Sequence, residues 1–479
     1  MPHNREAILR LQCWYKGGVS AVWVLLLACF ACSTEATPPL APSPPDPEPT
    51  EADWVDARSV SGSVLWARCR PSTNALRVDC EAELSAASSL TWSVEGMASV
   101  VVSEGTEHAV TLYGVGADQV MRWEATAPEG SAAGELRTEA LPVGLTLLRT
   151  DVQGDTERVP AVLFRYGCAD SNGLMVVDGV GEIRWFEPLD TPPTSVSWDY
   201  DQGYYSILAR GTVLHGRFAG PNVFRTATLD DPLHHDASAD DLGQVWALTA
   251  HLVDGVVADG LAVWSPEGAL LATWQLADHV PVGEGRSESM YWNTAFPSVP
   301  DWSHGNSIVV SDGLGLLSLR WLDAVVALDA ELRSPTFGEV QWVLSGRDDA
   351  ELGNDLQRLD GVGFVGQHHV SFTRDGRLML FDNRQPPAVS RVLQLGIDHD
   401  AGTVWLEEAW NLDQHCEVQG AAYELDDGTV VATCGPAARA QAFERGNPEQ
   451  VWSLEVSCAT LPHRLVPRFI PVEGVFGAP

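Results

Sequence analysis

The sequence predicts an all-β protein, a six-bladed β-propeller preceded by a small N-terminal β-sandwich. Almost no stretch has the apolar spacing of an amphipathic helix. Short apolar runs instead alternate with Asp-Gly and Gly turns along most of the chain. From residue 141 onwards the runs recur in groups of four, and about 335 residues of such groups correspond to roughly six blades. Five or seven blades, or a large sandwich, are the alternatives.

The chain begins with the features of an export signal. Basic residues precede the apolar run AVWVLLLACFAC (21–32), which is short for a membrane span. The run contains Cys29 and Cys32, each after an alanine, as at a lipoprotein cleavage site. We interpret residues 1–32 as a lipoprotein-type signal with lipidation at one of these cysteines, and simple secretion as the alternative. The mature protein would then be a membrane-anchored lipoprotein that faces the periplasm or the cell exterior.

Three further segments follow from composition and strand spacing. Residues 33–52 (STEATPPLAPSPPDPEPTEA) are rich in proline and acidic side chains, so they should form an extended linker. Residues 53–140 contain short alternating runs at the spacing of a sandwich, and we assign them to the N-terminal β-sandwich. Residues 141–479 are assigned to the propeller.

Charge and lysine content exclude several kinds of function. The formal net charge is −36, so nucleic acid and bare anionic membrane surfaces are poor partners. Lys16 is the only lysine and lies in the signal segment. The mature chain therefore lacks a lysine for a phosphate-binding loop or for a Schiff base with pyridoxal phosphate. We expect no cofactor.

The cysteines fit an exported protein. Six remain after the signal, which is an even number, and no CxxC spacing indicates a metal site, so none is expected. Six cysteines allow 15 pairings, and some could be buried free thiols. Proximity in sequence and elimination favour the pairs Cys69–Cys80, Cys416–Cys434 and Cys168–Cys458.

Histidines stand at similar places in several predicted blades. Eight positions separate His235 from Gly243 in LHHDASADDLG, and eight separate His368 from Gly376 in GQHHVSFTRDG. His304 also comes just before an apolar strand. The inner strands of a propeller line its central channel, so residues at matching positions converge there. One such histidine alone would favour a structural role, whereas three favour a functional site.

These motifs resemble the bacterial arylsulfate sulfotransferase family. Four matches follow the order of that family at propeller spacing, and a closing segment, RLVPRFIPV (464–472), looks like its final strand. Together they cover most of the chain after the linker. The four are LHHD (233–236), DWSHGNSI (301–308), LLSLR (316–320) followed by VVALD (325–329), and GQHHVSFTRDGRLMLFDN (366–383).

The resemblance implies an exported six-bladed propeller that moves a sulfuryl group between small phenols. A histidine takes the group from an aryl sulfate and passes it to a phenol, without a nucleotide donor. By resemblance, the nucleophile falls on His368 and the sulfate-binding arginine on Arg320. His235, His304 and Asn306 would line the sulfate pocket.

The chemistry suits these residue types. A neutral imidazole is nucleophilic near pH 7, and an arginine fork can hold two oxygens of a sulfate. His304 or His235 could protonate the departing phenolate, and the sequence does not rank them. His234 is a further candidate for substrate binding, although a structural role is favoured for His234 and for His369.

Simpler readings of the same residues remain open. Asn306 could cap a turn, and Arg320 could pair with Asp323 or Asp329. At position 369 the family pattern predicts a carboxylate, so His369 is a departure. The alternative function is therefore a non-catalytic exported β-propeller lipoprotein that binds a ligand or partner.

Overall fold

A computed structural model describes residues 54–472, with gaps at 73, 96–98, 170, 200–202, 209–210, 219–223, 227–228, 289–290, 293, 360, 460–465 and 467. The predicted signal (1–32), its two candidate lipidation sites and the linker (33–52) lie outside the described residues. All described residues belong to one compact unit, Glu48–Pro479. None of the helices in the described part of the chain has the length and apolar character needed to cross a bilayer.

The N-terminal strands form one curled sheet of seven strands, in the order β1-β3-β4-β6-β7-β2 with β5 paired to β4. Strand β4 is 18 residues long: its first half pairs with β3, its far end pairs with β6, and β5 pairs with it along most of its length. The predicted sandwich is thus a single sheet folded around one core, in which the Trp92 and Trp123 rings are 5.5 Å apart. The strands are β1 (Val55–Asp56), β2 (Ser59–Gly62), β3 (Val64–Pro71), β4 (Arg77–Val94), β5 (Val100–Tyr113), β6 (Val120–Ala127) and β7 (Gly130–Arg137).

Six further sheets form the predicted six-bladed propeller. Their strands are mostly four to nine residues long and carry the apolar runs of the sequence. The first eight are β8 (Leu148–Gly154), β9 (Ala161–Cys168), β10 (Ser171–Asp178), β11 (Ile183–Pro188), β12 (Pro193–Asp199), β13 (Gly203–Leu208), β14 (Thr212–Gly216) and β15 (Phe224–Arg225). The next ten are β16 (Leu233–Ala239), β17 (Val245–Val253), β18 (Val256–Trp264), β19 (Leu270–Gln275), β20 (Ser287–Glu288), β21 (Pro300–Asp301), β22 (Gly305–Ser311), β23 (Leu314–Leu319), β24 (Ala324–Asp329) and β25 (Val340–Ser345).

The remaining strands belong to the last two blades, except for β35, which belongs to the first. They are β26 (Gln357–Arg358), β27 (His368–Phe372), β28 (Leu378–Asp382), β29 (Arg391–Asp398), β30 (Thr403–Asn411), β31 (Ala421–Glu424), β32 (Val430–Cys434), β33 (Arg439–Phe443), β34 (Gln450–Cys458) and β35 (Ile470–Pro471). The described helices are short: α1 (Val143–Thr146) and two 3₁₀ turns at Leu276–Asp278 and Gly435–Ala437.

We number the blades in chain order, with the strands given from the first in each sheet. Blade 1 is β35-β9-β10-β11, blade 2 is β12-β13-β14-β15, and blade 3 is β16-β17-β18-β19 with β21 and β20 added beside β18. Blade 4 is β22-β23-β24-β25, blade 5 is β27-β28-β29-β30 with β26 at its edge, and blade 6 is β31-β32-β33-β34-β8.

Both ends of the propeller sequence close the ring. Strand β8 pairs with β34, so the start of the propeller completes the last blade, and β35 pairs with β9, so the end of the chain completes the first. The Cys168–Cys458 disulfide links the same two blades. The other two predicted pairs, Cys69–Cys80 and Cys416–Cys434, are also formed, so the predicted pairing is confirmed.

A repeated hydrogen bond joins the first strands of blades 3 to 6. In each case a side chain on one strand accepts a backbone N–H from the next strand around the ring. We call the three acceptors, Asp236, Ser307 and His369, the latch residues. The bonds run from Ile308 N to Asp236 Oδ2 (3.1 Å), from Val370 N to Ser307 Oγ (2.8 Å) and from Ala422 N to His369 Nδ1 (3.3 Å).

Candidate active site

The residue before each latch residue occupies the same position in three successive blades. These residues are His235, Asn306 and His368. A β-bulge interrupts the pairing of all three strands at this point. The equal spacing of His235 and His368 from their glycine turns therefore reflects one shared structural position.

His304 lies in the same region, but it comes from the segment before a strand and not from the strand itself. The sequence expectation gave it the matching position in blade 4, but Asn306 holds that position. His304 lies two residues earlier, in the turn before β22, where its φ of 51° is in the left-handed region. This turn brings the His304 ring to 4.9 Å from the His235 ring, measured between centroids.

His235 is surrounded by other rings. Its Nδ1 lies 2.9 Å from Nδ1 of His234, and its ring centroid is 4.4 Å from that of Tyr291. Burial lowers the pKa of His235 well below its usual value, and the nearby His304 and His234 lower it further. His235 is therefore neutral at ordinary pH.

A buried carboxylate stands behind this pair of histidines. Nε2 of the fully buried His234 lies 3.1 Å from the backbone oxygen of Thr249 and 3.1 Å from Oδ1 of Asp259. Burial alone would raise the pKa of Asp259, but interactions with His234, Ser303 and the Gly305 amide lower it below its usual value. His234 thus contacts both Asp259 and His235.

His304 has its own carboxylate. Its Nδ1 contacts Oδ2 of Asp301, a residue that is 1% exposed. Trp321 Nε1 donates to the same oxygen at 3.2 Å. Strand β21 places Asp301 beside β18, where it pairs with Val257. The carboxylate is an acceptor, so Nδ1 of His304 carries a proton and Nε2 is the ring nitrogen away from Asp301.

His368 is held by neutral groups only. Its Nδ1 lies 2.8 Å from Oδ1 of Asn383 and 3.2 Å from the backbone oxygen of Gly366. Both are acceptors, so Nδ1 carries the ring proton. The backbone N–H of Gln419 donates to Nε2 at 3.1 Å, so Nε2 is unprotonated. Burial lowers the pKa of His368 well below its usual value, and Arg320 is the next largest cause.

The orientation of the Asn383 amide is fixed by its other contacts. Nδ2 donates to the backbone oxygens of Cys416 (2.7 Å) and Gln419 (2.8 Å). Since both are carbonyls, the amide nitrogen must face them and the amide oxygen must face His368. The Cys416–Cys434 disulfide ties this loop to β32.

The same loop holds Arg320. Nη2 of Arg320 donates to the backbone oxygen of Glu417 at 2.9 Å, and the guanidinium lies 4.5 Å from the centre of the Trp321 ring. Its Nε is buried and has no hydrogen-bond partner among the described residues. Burial lowers the pKa of Arg320, whose ordinary value leaves it charged in any case. Arg320 therefore offers a donor beside His368.

Asn306 lies near the start of β22 in blade 4. Its Nδ2 donates to the backbone oxygen of Gln367 at 2.7 Å, and its buried Oδ1 has no partner within the described part of the chain. Arg468 donates to the Asn306 backbone oxygen at 3.0 Å and forms an ion pair with Asp236. Arg468, in the last segment of the chain, thus holds both Asn306 and Asp236 in place.

The His369 side chain points toward blade 6, where it contacts β31. It is 6% exposed, and its ring lies 4.5 Å from that of Tyr423. Its Nδ1 accepts the Ala422 amide, as the Asp236 carboxylate and the Ser307 hydroxyl do elsewhere. Burial lowers the pKa of His369 well below its usual value, with a further contribution from Arg468. Histidine therefore replaces a carboxylate here without loss of the hydrogen-bond acceptor.

Sequence reasoning missed five residues of this region. Three lie in segments that the sequence analysis quoted: one is three positions before His304 in DWSH, one ends the FDN of the fourth motif, and one is in the closing segment RLVPRFIPV. The others come from elements that no local pattern connects to the histidines. The five are Asp259, Tyr291, Asp301, Asn383 and Arg468.

Comparisons with known proteins agree with this arrangement at the level of the family. The family model described as Arylsulfotransferase (ASST) matches residues 151–455, which is more than half of the chain. The match contains blades 2 to 5 and all five residues that the resemblance assigned to the pocket. A comparison with curated protein sequences returns no significant match.

Solved structures match this chain only at low identity and with low TM-scores. A protein of unknown function from Bacteroides caccae is 11% identical, with a TM-score of 0.42, and the match covers 66% of this chain and 99% of that one. A virginiamycin B lyase from Staphylococcus aureus is 9% identical, with a TM-score of 0.36, over 64% and 99% of the two chains. Neither likeness bears on function. On the extent of its match to the family model, the chain belongs to the arylsulfotransferase (ASST) family.

Proposed function

We propose that this protein moves a sulfuryl group from an aryl sulfate to a phenolic acceptor, through a covalent sulfohistidine at His368 and without a nucleotide donor. The observation that carries the proposal is the difference between the partners of two imidazoles that interact electrostatically. An amide and backbone groups hold His368, whereas a carboxylate holds His304. The first arrangement suits a neutral nucleophile and the second suits an acid and base.

In the first half-reaction, the Nε2 lone pair of His368 forms a bond to sulfur. The bond between sulfur and the aryl oxygen breaks, and its electrons leave on the phenolate. A phenolate has a conjugate acid of pKa about 10, so a proton from Nε2 of His304 assists its departure. His235 is less suited to this task because its pKa is lowered well below the usual value. This contrast ranks the two histidines.

The second half-reaction reverses these roles. Neutral His304 accepts the proton of the incoming phenol while the phenol oxygen attacks sulfur. The bond between sulfur and Nε2 breaks, and its electrons return to the ring of His368. The protein then regains its starting protonation state, so the cycle needs no net supply of protons.

Several groups could hold the charge on the transferring oxygens. Arg320 has an unpartnered Nε, and one of the two Asn306 amide hydrogens remains after its bond to Gln367. The Gln419 N–H must leave Nε2 when sulfur binds there, which frees a donor 3.1 Å from the attacking atom. Preorganised donors of this kind stabilise charge that develops in a transition state. We propose that His234 acts through His235, as part of its link to Asp259.

Export is consistent with the three disulfides, which form in oxidising compartments. We propose further that residues 1–32 act as a lipoprotein signal, that Cys29 or Cys32 carries the lipid, and that residues 33–52 tether the folded part. The native protein should then partition into detergent. An unlipidated soluble protein whose N-terminus lies beyond residue 32 would contradict this proposal.

Release of a coloured phenol tests the activity. The purified protein is given a chromogenic aryl sulfate with and without added phenol, and both the coloured product and sulfated phenol are measured. We expect colour release that depends on the acceptor and needs no nucleotide. Absence of both products with a range of aryl sulfates would overturn the proposed function.

A further inference from the structure

The groups around Nδ1 of His368 determine the state of the covalent intermediate as well as the position of the ring. The Asn383 carbonyl oxygen and the Gly366 carbonyl oxygen are the two acceptors at Nδ1. Neither an amide nor a peptide oxygen takes a proton near neutral pH. None of the described hydrogen bonds joins Nδ1 of His368 to the other four histidines of the region, which are His234, His235, His304 and His369.

We propose that Asn383 is a positioning residue that keeps the Nδ1 proton on the ring and so keeps the sulfohistidine in its cationic, reactive form. This inference rests on the proposed function. When Nε2 bonds to sulfur and the aryl oxygen leaves with its electrons, the ring becomes an imidazolium that carries an anionic sulfuryl group. With no base at Nδ1, the proton stays.

The retained proton decides the leaving group of the second half-reaction. If Nδ1 keeps its proton, the bond between sulfur and Nε2 breaks to release a neutral imidazole. If Nδ1 gives its proton to a base, the same cleavage must release an imidazolate anion, which is a far poorer leaving group. An amide at position 383 therefore favours transfer, whereas a carboxylate would favour a long-lived adduct.

The surroundings of Asn383 support this role. Its amide is 1% exposed and all of its hydrogens are used, by the carbonyls of Cys416 and Gln419. The amide cannot turn over to present a donor to His368 without losing both bonds. The carbonyl oxygen is thus held toward Nδ1 by contacts that do not involve the substrate.

Asn383→Asp provides the test, because it keeps the shape of the side chain and adds a base at Nδ1. The protein is loaded with a chromogenic aryl sulfate, excess donor is removed, and the adduct on His368 is followed over time by mass spectrometry with and without phenol. We expect a burst of the coloured phenol from both proteins. The adduct should decay at least about 10-fold more slowly in the variant, because loss of correct proton placement lowers a reaction rate by a factor of this order or more. Asn411→Asp, on the exposed end of β30 in the same blade, is the control for the added charge.

A measurement on the unchanged protein covers the case in which the variant does not fold. The lifetime of its adduct should not increase as the pH rises from about 6 to 8, the range in which ordinary histidines titrate. An adduct that becomes longer-lived as the pH rises, or an Asn383→Asp adduct that decays as fast as the wild-type one, would overturn the inference alone. A wild-type protein that forms no adduct and releases no phenol would overturn the proposed function, and the inference with it.

Discussion

His369 accepts the backbone N–H of Ala422 across the boundary between blades 5 and 6, with 3.3 Å between Nδ1 and N. Asp236 and Ser307 perform the same task between the preceding blades. The residue at 369 therefore has to supply an acceptor, and a neutral imidazole with an unprotonated Nδ1 supplies one. This explains how the chain tolerates histidine where the family pattern predicts a carboxylate.

The first prediction concerns this acceptor. His369→Ala should lower the free energy of unfolding by about 1–3 kcal/mol, because the Ala422 N–H is left buried without a partner. His369→Asn should lower it much less, since its amide oxygen can accept the same bond. Urea unfolding curves of the two variants provide the comparison. A larger loss for asparagine than for alanine would show that His369 stabilises the fold in another way.

The second prediction separates the two adjacent histidines in catalysis. His368→Ala should abolish turnover of aryl sulfates, because it removes the attacking nitrogen, whereas His369→Ala should leave measurable activity. Incubation with donor alone, followed by peptide mass spectrometry at alkaline pH, should find the sulfuryl group on His368. An adduct on His369, or full activity of His368→Ala, would show that the nucleophile has been assigned wrongly.

The third prediction concerns Arg320. Arg320→Ala should lower kcat/KM by about 10²–10³-fold, the usual cost of losing a donor to the transferring oxygens. Arg320→Lys should recover part of the loss, since it restores the charge but not the planar fork. Arg333→Ala, an exposed change in the same blade, controls for the lost charge. Equal activity of Arg320→Ala and this control would exclude the proposed role.

The fourth prediction tests His304 as the acid through its carboxylate partner. Asp301→Asn should slow cleavage of phenyl sulfate by about 10²–10⁴-fold, the usual contribution of general acid catalysis. The rate of cleavage of nitrophenyl sulfate should fall less, because nitrophenolate is a weaker base and departs without a proton. Asp312→Asn, an exposed change between β22 and β23 in blade 4, is the control. Equal losses with both donors would indicate that Asp301 has only a structural role.

The fifth prediction follows from the lowered pKa values of His235, His368 and His369. Below pH 6.5 the unfolded chain binds protons at these positions and the folded chain does not, so the free energy of unfolding falls as the pH falls. Their contribution is complete above pH 6.5, and each group costs about 1.4 kcal/mol per pH unit below it. His369→Asn should reduce the slope by about one such group. A slope unchanged by this variant would contradict the lowered pKa of His369.

Much of the fold could be predicted because its signals are local. The alternation of apolar and polar residues in β6, for example, gives alternate exposure and burial along the strand. Cys69 and Cys80 lie on paired strands of one hairpin, so proximity in the sequence predicts their bond. The blade repeat likewise placed His235 and His368 at one position, through equal distances to their turns. The curled single sheet at the N-terminus was harder to predict from the sequence, because it depends on a bend within β4.

The sequence alone determined the all-β class, the repeat of blades and the matching positions of His235 and His368 in two of them. Tertiary structure decided much of what each histidine can do, because several of the groups that contact the histidines and their neighbours are distant in the sequence. Asn383 and Gln419 reach His368 from positions 15 and 51 residues away, and Arg468 reaches Asp236 across 232 residues. Periodicity fixes which face of its own strand a residue occupies, but only closure of the ring brings such partners within hydrogen-bond distance. The difference between a nucleophile and an acid therefore arises from packing between blades.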